Sequence, residues 1–589
     1  MKQFFLTMAG VFAGLMLFFI GVPFLLIAGL ASATRPAATP ATAVLSLDLR
    51  KSLTDQEPQN PFAAFSSRSL AVTSVINALH RAETDSHVKA LFIRLPEAGV
   101  SPGAADELRL AIRRFEASGK PVIAHSQGLY PAGAITSTYM IGAAANEFWM
   151  QPGAPFQATG MANEDMFFKR LFDKYGVKPD FEQRYEYKNA INGLIYDDYT
   201  PAHRESGLSW MGSVYDTALG AAAADRGKPL PALKAAIEAG PYDAGDAMAK
   251  GLVDKLGQVR EAQQAVLKKA GSGAKLMDID DYISAAPKLD APAAGPVVAV
   301  VSAEGDIMTG SRGRLGSSNI SSDDVAEALY KAGDDSKVKA IVFRLDSPGG
   351  SDTASEQILA AVKAAKAKKP VVVSMGTYGA SGGYWVSSAA SAIVAEPSTL
   401  TGSIGVFGGK FALGTALAHF GVDVRDISVG GQYASADAAS APFTPQQKAA
   451  FAAQIDKVYN GFVARVAEGR HLPVARVQQI ARGRVWTGAQ AKQLGLVDEV
   501  GGFYQAVDKA KALAGLSGQT VRLKAYKAEA SPFEALQRAF GVSDAALHTL
   551  QSASAILGDP RSQSLLDQIN TARLGAHGAA LALAPLPRF

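Results

Sequence analysis

The chain has 589 residues, 48% of them hydrophobic and 19% charged, with a net charge of +4 and no cysteine. That length is too great for one hydrophobic core, so at least two domains are expected, and the composition is that of a folded chain. The missing cysteines exclude disulfides, thiolate metal sites and cysteine nucleophiles, and the weak charge, with no basic run interleaved with aromatics, implies no nucleic-acid partner.

In chain order, the first element is an uncharged run from Phe4 to Ala33, between Lys2 and Arg35. It exceeds the roughly 20 apolar residues that cross a bilayer and the about 7–15 of a signal-peptide core. A retained transmembrane anchor over 1–34 is therefore expected, although Ala31-Ser32-Ala33 also suits a cleavage site. With only Lys2 and the amino terminus on the short side, the positive-inside rule leaves the remainder outside the cytoplasm. A Pro/Ala linker (35–43) leads into a first domain at 44–284, and a second linker (285–296) into another at 297–516. Within each, short β-rich runs alternate with helical patterns, which predicts parallel strands with crossover helices. In the second domain these are strands at 297–301, 340–345 and 370–375 and helices at 355–366, 444–467 and 473–482. After Leu516 the repeat stops, leaving a strand-like piece at 521–527 and an Ala-rich extension (517–589 in all) from which no function is inferred.

The two domains repeat one another. SHVKALFIRL from Ser86 is matched by SKVKAIVFRL from Ser336, and Gly251-Leu252-Val253-Asp254 by Gly495-Leu496-Val497-Asp498. Each copy lacks something the other keeps. The second has Gly379-Ala380-Ser381-Gly382-Gly383 where the first has Pro131-Ala132-Gly133-Ala134-Ile135, with no serine. The first has Lys188 in YEYKNA where the second has Ala434 in QYASAD. Two degenerate halves that each keep one polar group point to one active site built from both.

Ser381 is expected between a strand at 371–375 and a helix beginning near it. A serine there sits among free backbone N–H groups that could stabilise an oxyanion, and Gly382 and Gly383 let a substrate backbone approach. The same position suits an ordinary N-cap. Asp346-Ser347-Pro348-Gly349-Gly350-Ser351 follows the neighbouring strand, so amides of Gly350 and Gly382 could form a two-donor hole, or the first loop could be a plain turn. For the base, the formal G-x-S-x-G invites an α/β-hydrolase triad. The later histidines His419, His471, His548 and His577 show no acidic partner in sequence. Lysine is the other base for a serine and must be neutral to act. Lys188 ends FEQRYEYK, whose alternation reads as a surface strand.

SPGGS at Ser347–Ser351, ASGGYW at Ala380–Trp385, LTGSIGVFG at Leu400–Gly408 and VWTG at Val485–Gly488, with YEYKNA and the N-terminal run, resemble the long two-domain form of the signal peptide peptidase A family. The resemblance covers roughly 4–516. It implies an α/β fold of two tandem crotonase/Clp-protease-like domains behind one transmembrane helix. It also implies a Ser–Lys serine endopeptidase with Ser381 as nucleophile, Lys188 as general base, Ser403 orienting the lysine amine, and Gly350 and Gly382 as oxyanion donors. No metal or organic cofactor is implied. The expected substrates are cleaved signal peptides and other unfolded polypeptides, met on the periplasmic side of a bacterial inner membrane by a homotetramer. An esterase using a downstream histidine and a non-catalytic membrane scaffold remain the alternatives.

Overall fold

The computed structural model describes residues 39–57, 69–285, 295–311, 319–528 and the strand at 581–583. The apolar run at 4–33 lies outside the described residues, among which no helix is long and apolar enough to cross a membrane.

The chain is α/β, and each half is built on a parallel sheet. The first sheet runs in the order Lys255–Leu256, Glu147–Met150, Val122–Ser126, Val88–Arg94, Ala43–Asp48, Lys275–Asp278, every pair parallel. The second repeats it with Glu499–Val500, Ala392–Ala395, Val371–Ala380, Val338–Ser347, Val297–Glu304 and Arg522–Tyr526. The repeat extends to side-chain wiring. Asp254 accepts from the Phe148 amide and Asp498 from the Ile393 amide, both at 2.7 Å. Arg226 and Arg470 bind those same carboxylates.

Two boundaries differ from expectation. The strand Arg522–Tyr526 pairs in parallel with Val297–Val301, as Lys275–Asp278 does with the first strand, so the second sheet draws on chain beyond Leu516. The strand-like piece expected at 521–527 is thus a strand, and its place comes from the free edge it covers. The strand expected to end at 375 runs on to Ala380, because Val371–Ala380 continues past its first partner to pair with Leu400–Gly402.

Parallel strands covered on both faces read as unbroken apolar runs, and successive side chains serve opposite faces. In the run from Val297, the residues Val297, Ala299 and Val301 join a core with the helices Ser322–Asp334 and Asp352–Lys366. Val298 and Val300 point the other way, into a core shared with the first half. There the helices Val72–Thr84 and Pro102–Ala117 meet the second half's Phe503–Leu513, whose Tyr504 donates to Asn77 and lies under Arg114. The halves are thus one packed body.

A buried ionic knot crosses the same boundary. Arg344, fully buried in its strand, donates to Asp55 through Nε (3.0 Å to Oδ2) and to Glu107 (2.9 Å) of the first half. Glu304 accepts from the amides of Asp55 and Gln56 at 3.0 Å each, and Asp106 from that of Ser398 at 2.9 Å. Burial, then repulsion from Asp55, lifts the Glu304 carboxyl to about 7. Burial, then Glu107 and Asp106, pushes Glu396 well above the carboxylate range. One guanidinium thus holds an interface in which part of the surrounding acid is kept neutral.

Candidate active site

The smaller sheet that builds the site is assembled from both halves. The strand Lys178–Arg184 leaves the first half and pairs antiparallel with Val406–Ala412 of the second, from Val406↔Arg184 to Ala412↔Lys178. Ion pairs from Arg184 to Asp456 and from Lys448 to Asp180 pin it to the helix Pro445–Arg470. The strand ends at Arg184, so the expected surface strand stops short of Lys188, which lies four residues on and is fully buried. The loop between is clamped from the second half. The Tyr187 amide donates to the Arg482 carbonyl at 3.2 Å, and Arg482 binds the Glu186 carboxylate through two bonds of 2.8 Å.

Ser381 follows the long strand and begins the six-residue helix Gly382–Ser387. Its amide donates to the Gly402 carbonyl at 2.8 Å, and its backbone is held left-handed, at φ 54°. Such a conformation in a residue with a Cβ is strained and persists only where its surroundings enforce it. Gly133, its counterpart, has φ 61°, so the first half keeps the turn without the hydroxyl. The N-cap alternative fails, because the Ser381 side chain makes no cap hydrogen bond. It meets the lysine instead. Lys188 Nζ lies 2.8 Å from Ser381 Oγ, 3.0 Å from Ser403 Oγ and 3.1 Å from the Ser403 carbonyl.

Burial pushes the Lys188 amine well below its ordinary value, and no charged neighbour contributes to the shift. A neutral amine has two hydrogens and one lone pair. The two Ser403 acceptors take the hydrogens, which leaves the lone pair facing the Ser381 hydroxyl. Ser403 is itself left-handed, at φ 48°, with its amide on the Arg484 carbonyl at 2.7 Å. Replacing Ser403 by Ala is expected to lower kcat by on the order of 10²-fold or less with KM unchanged, because the Ser403 hydroxyl contacts the lysine amine. Steady-state kinetics on one soluble peptide read both parameters.

The two glycines are brought together as expected. A Cβ on Gly382 would lie 3.0 Å from the Gly350 amide nitrogen, and one on Gly350 would strike the Ile307 carbonyl at 2.1 Å. Beside them is a strand-wide slot between Gly349–Ser351 and Val406–Ala412. Leu581–Leu583 lies in it, antiparallel to both, with Ala582 opposite Gly350 and Leu581 opposite Phe407. The extension after Leu516, from which no role was inferred, thus places one segment against the site.

The histidine alternative finds no support in the geometry. His419 and His471 are exposed, and the hydrogen-bond partners of Ser381 include neither, while His548 and His577 lie outside the described residues. Gly483 escaped sequence reading. At φ +81°, a Cβ there would come within 2.6 Å of the Lys188 backbone nitrogen, so only glycine lets the two loops close. Its one signal was its place just before VWTG. Arg344 was also missed, although an arginine inside an apolar strand run, matched by Arg94, marks a paired buried charge.

The sequence profile of peptidase family S49 matches residues 114–272 and 363–517, one copy in each half. Protease 4 of Salmonella typhi is 35% identical over 458 residues, covering 75% of this chain and 72% of that protein.

The chain belongs to peptidase family S49.

It is a serine peptidase. Protease 4 of Haemophilus influenzae is 32% identical, covering 76% of this chain and 73% of its own length. The chloroplastic serine protease SPPA of Arabidopsis thaliana is 28% identical, covering 80% and 69%. Among solved structures, a mutant of the 1510-N membrane-bound stomatin-specific protease matches 40% of the chain and 98% of its own, at 16% identity and a TM-score of 0.25.

Proposed function

We propose that this S49 peptidase is a membrane-anchored endopeptidase that degrades cleaved signal peptides and other unfolded polypeptides through a Ser381–Lys188 dyad. The carrying observation is the buried Nζ–Oγ contact of 2.8 Å between groups from different halves. Lys188 takes the Ser381 proton as Oγ adds to the scissile carbonyl. The amides of Gly350 and Gly382 receive the oxyanion. The protonated lysine then passes its proton to the leaving amine, and water frees the acyl group. The slot supports an extended peptide as substrate, since it holds the backbone of Leu581–Leu583 as a strand between two others. A folded protein would have to unfold locally to enter it.

The resemblance noted above and the apolar run at 4–33 support the finer reading. That reading is a tandem crotonase/Clp-type fold behind one transmembrane helix, facing the periplasm from a bacterial inner membrane and associating as a homotetramer. The test is an active-site acylating probe with peptide mapping, beside hydrolysis of a synthetic signal peptide and of a folded control protein. Label on Ser381 and cleavage of the peptide alone are expected. Label on another residue, or peptide turnover by a Ser381→Ala protein, would remove the reading.

A further inference from the structure

The segment Arg482-Gly483-Arg484 of the second half meets the Lys188 loop and Ser403 at once. The Arg482 carbonyl takes the Tyr187 amide, Gly483 abuts Lys188, and the Arg484 carbonyl takes the Ser403 amide. Directly after it, Val485–Thr487 pairs antiparallel with Leu400–Gly402, whose Gly402 carbonyl accepts the Ser381 amide. The Arg484 side chain reaches back to the first half. It forks onto Glu205 through two bonds of 2.7 Å, near the start of the helix Pro201–Asp225. Its guanidinium carbon lies 4.9 Å from the centre of the Tyr187 ring and 4.4 Å from that of Trp486. The same helix brings Trp210 and Val214 into an apolar cluster with Leu400 and Val485. Arg484 thus joins three pieces of chain: the loop that carries Lys188, the strand end that carries Ser403, and a helix packed beside both.

The internal repeat singles this contact out. From Asp254 and Asp498 back to Thr200 and Thr444 the halves align without a gap. The alignment pairs two sets of helix caps, Thr200 with Thr444 and Asp243 with Thr487, each accepting from the amide three residues on. It also pairs the ring of Tyr242 with that of Trp486. Yet Arg484 falls opposite Gly240, and Glu205 opposite Ala449. Both copies keep the frame of the loop, and the ion pair is present only where a serine and a lysine must meet. The Glu205 side chain is 51% exposed, and an ion pair so open to water adds little stability. What the pair supplies is geometry.

We propose that Arg484 is a positioning residue of this peptidase: forked onto Glu205 and set over Tyr187, its guanidinium fixes the loop that carries Lys188 against the strand end that carries Ser403. This rests on the Ser381–Lys188 reading and deepens it. The hydrogen-bond partners of the amine are Ser381 and Ser403, so Arg484 acts through the backbone on either side of them. Lysine has a flexible four-carbon stem, and a base works only within about 2.6–3.2 Å of the proton it takes. The anchor of that stem must therefore be held. A misplacement of about 1 Å costs on the order of 10²-fold in rate.

The test compares full-length Arg484→Met, Arg484→Lys and Glu205→Ala with wild type for kcat, KM, pH–rate profile and urea midpoint. Arg484→Met should lower kcat by on the order of 10- to 10²-fold, with KM and the urea midpoint nearly unchanged. The limb on which the rate rises with pH should move to higher pH, because a loosened loop admits water to the amine and hydration favours its charged form. Arg484→Lys should behave like the methionine variant, since it keeps the charge and loses the planar fork. Glu205→Ala should show the same shifts more weakly. Combined with Arg484→Met it should add nothing, as expected of two groups acting through one contact. Wild-type kcat and profile in Arg484→Met would overturn the proposal. So would a fall in kcat that follows the urea midpoint with the profile unmoved, or full recovery of the rate by Arg484→Lys. If Arg484→Met does not fold, Glu205→Ala decides alone, and wild-type kcat and profile in it would overturn the proposal. Lys188→Met is run in the same series. Activity retained there would remove the dyad and this proposal together, whereas activity lost there but kept in the Arg484 variants would remove this proposal only.

Discussion

Lys188→Met is expected to lower kcat/KM for peptide hydrolysis by on the order of 10⁴-fold or more, the scale on which loss of a proton-transferring partner disables a serine nucleophile. Methionine has a similar volume and cannot accept a proton. In the wild type, the rate should rise with pH as the buried amine loses its proton, since only the neutral form is a base. The same group makes stability depend on pH. Its value in the folded chain is depressed by burial, while in the unfolded chain it is the ordinary about 10.4. Between those values the unfolded chain binds one proton more, so wild-type stability gains from rising pH and the gain is complete above the ordinary value. Lys188→Met lacks this dependence. The wild type should therefore improve relative to the variant by up to about 1.4 kcal/mol for each pH unit within that window. Urea unfolding of both proteins at several pH values measures it. A wild-type rate profile limited by a group near pH ~6.5, or a stability gap that does not move with pH, would speak against a neutral buried lysine.

Arg344→Met should destabilise the chain by about 3–5 kcal/mol, because it leaves Asp55 and Glu107 without their cation at a buried interface. Activity should fall with it, at lower denaturant than in the wild type, since Lys188 and Ser381 lie on opposite sides of that interface. The control is Arg344→Met with Asp55→Asn and Glu107→Gln. Removing all three charges should recover most of the loss, because the penalty comes from uncompensated charge rather than from missing volume. Equal urea midpoints for Arg344→Met and wild type would show that the knot does not hold the halves together.

The internal repeat and its reciprocal losses were legible in the sequence. They rest on local signals: apolar runs that suit strands covered on both faces, glycines where a turn needs them, and a serine or lysine present in one copy only. Ser381, Lys188, Gly350 and Gly382 could be named that way, and Ser403 through resemblance. Their meeting could not be read locally, because 193 residues separate Lys188 from Ser381. As a string, FEQRYEYK alternates like a surface strand, and an edge strand does alternate so. Only the crossing of Lys178–Arg184 to the second half turns the next loop inward, where Gly483 and the loop after Arg482 close over it. Burial there, the sum of neighbours from both halves, is what holds the amine's pKa below its ordinary value, as the proposed base requires. The Arg344 knot and the placing of Leu581–Leu583 in the slot were settled in the same way. A charge's state depends on how much water its surroundings exclude, and a strand's partner on which edge is left open. Both are properties of chain brought together from far apart, and tertiary structure alone decides them.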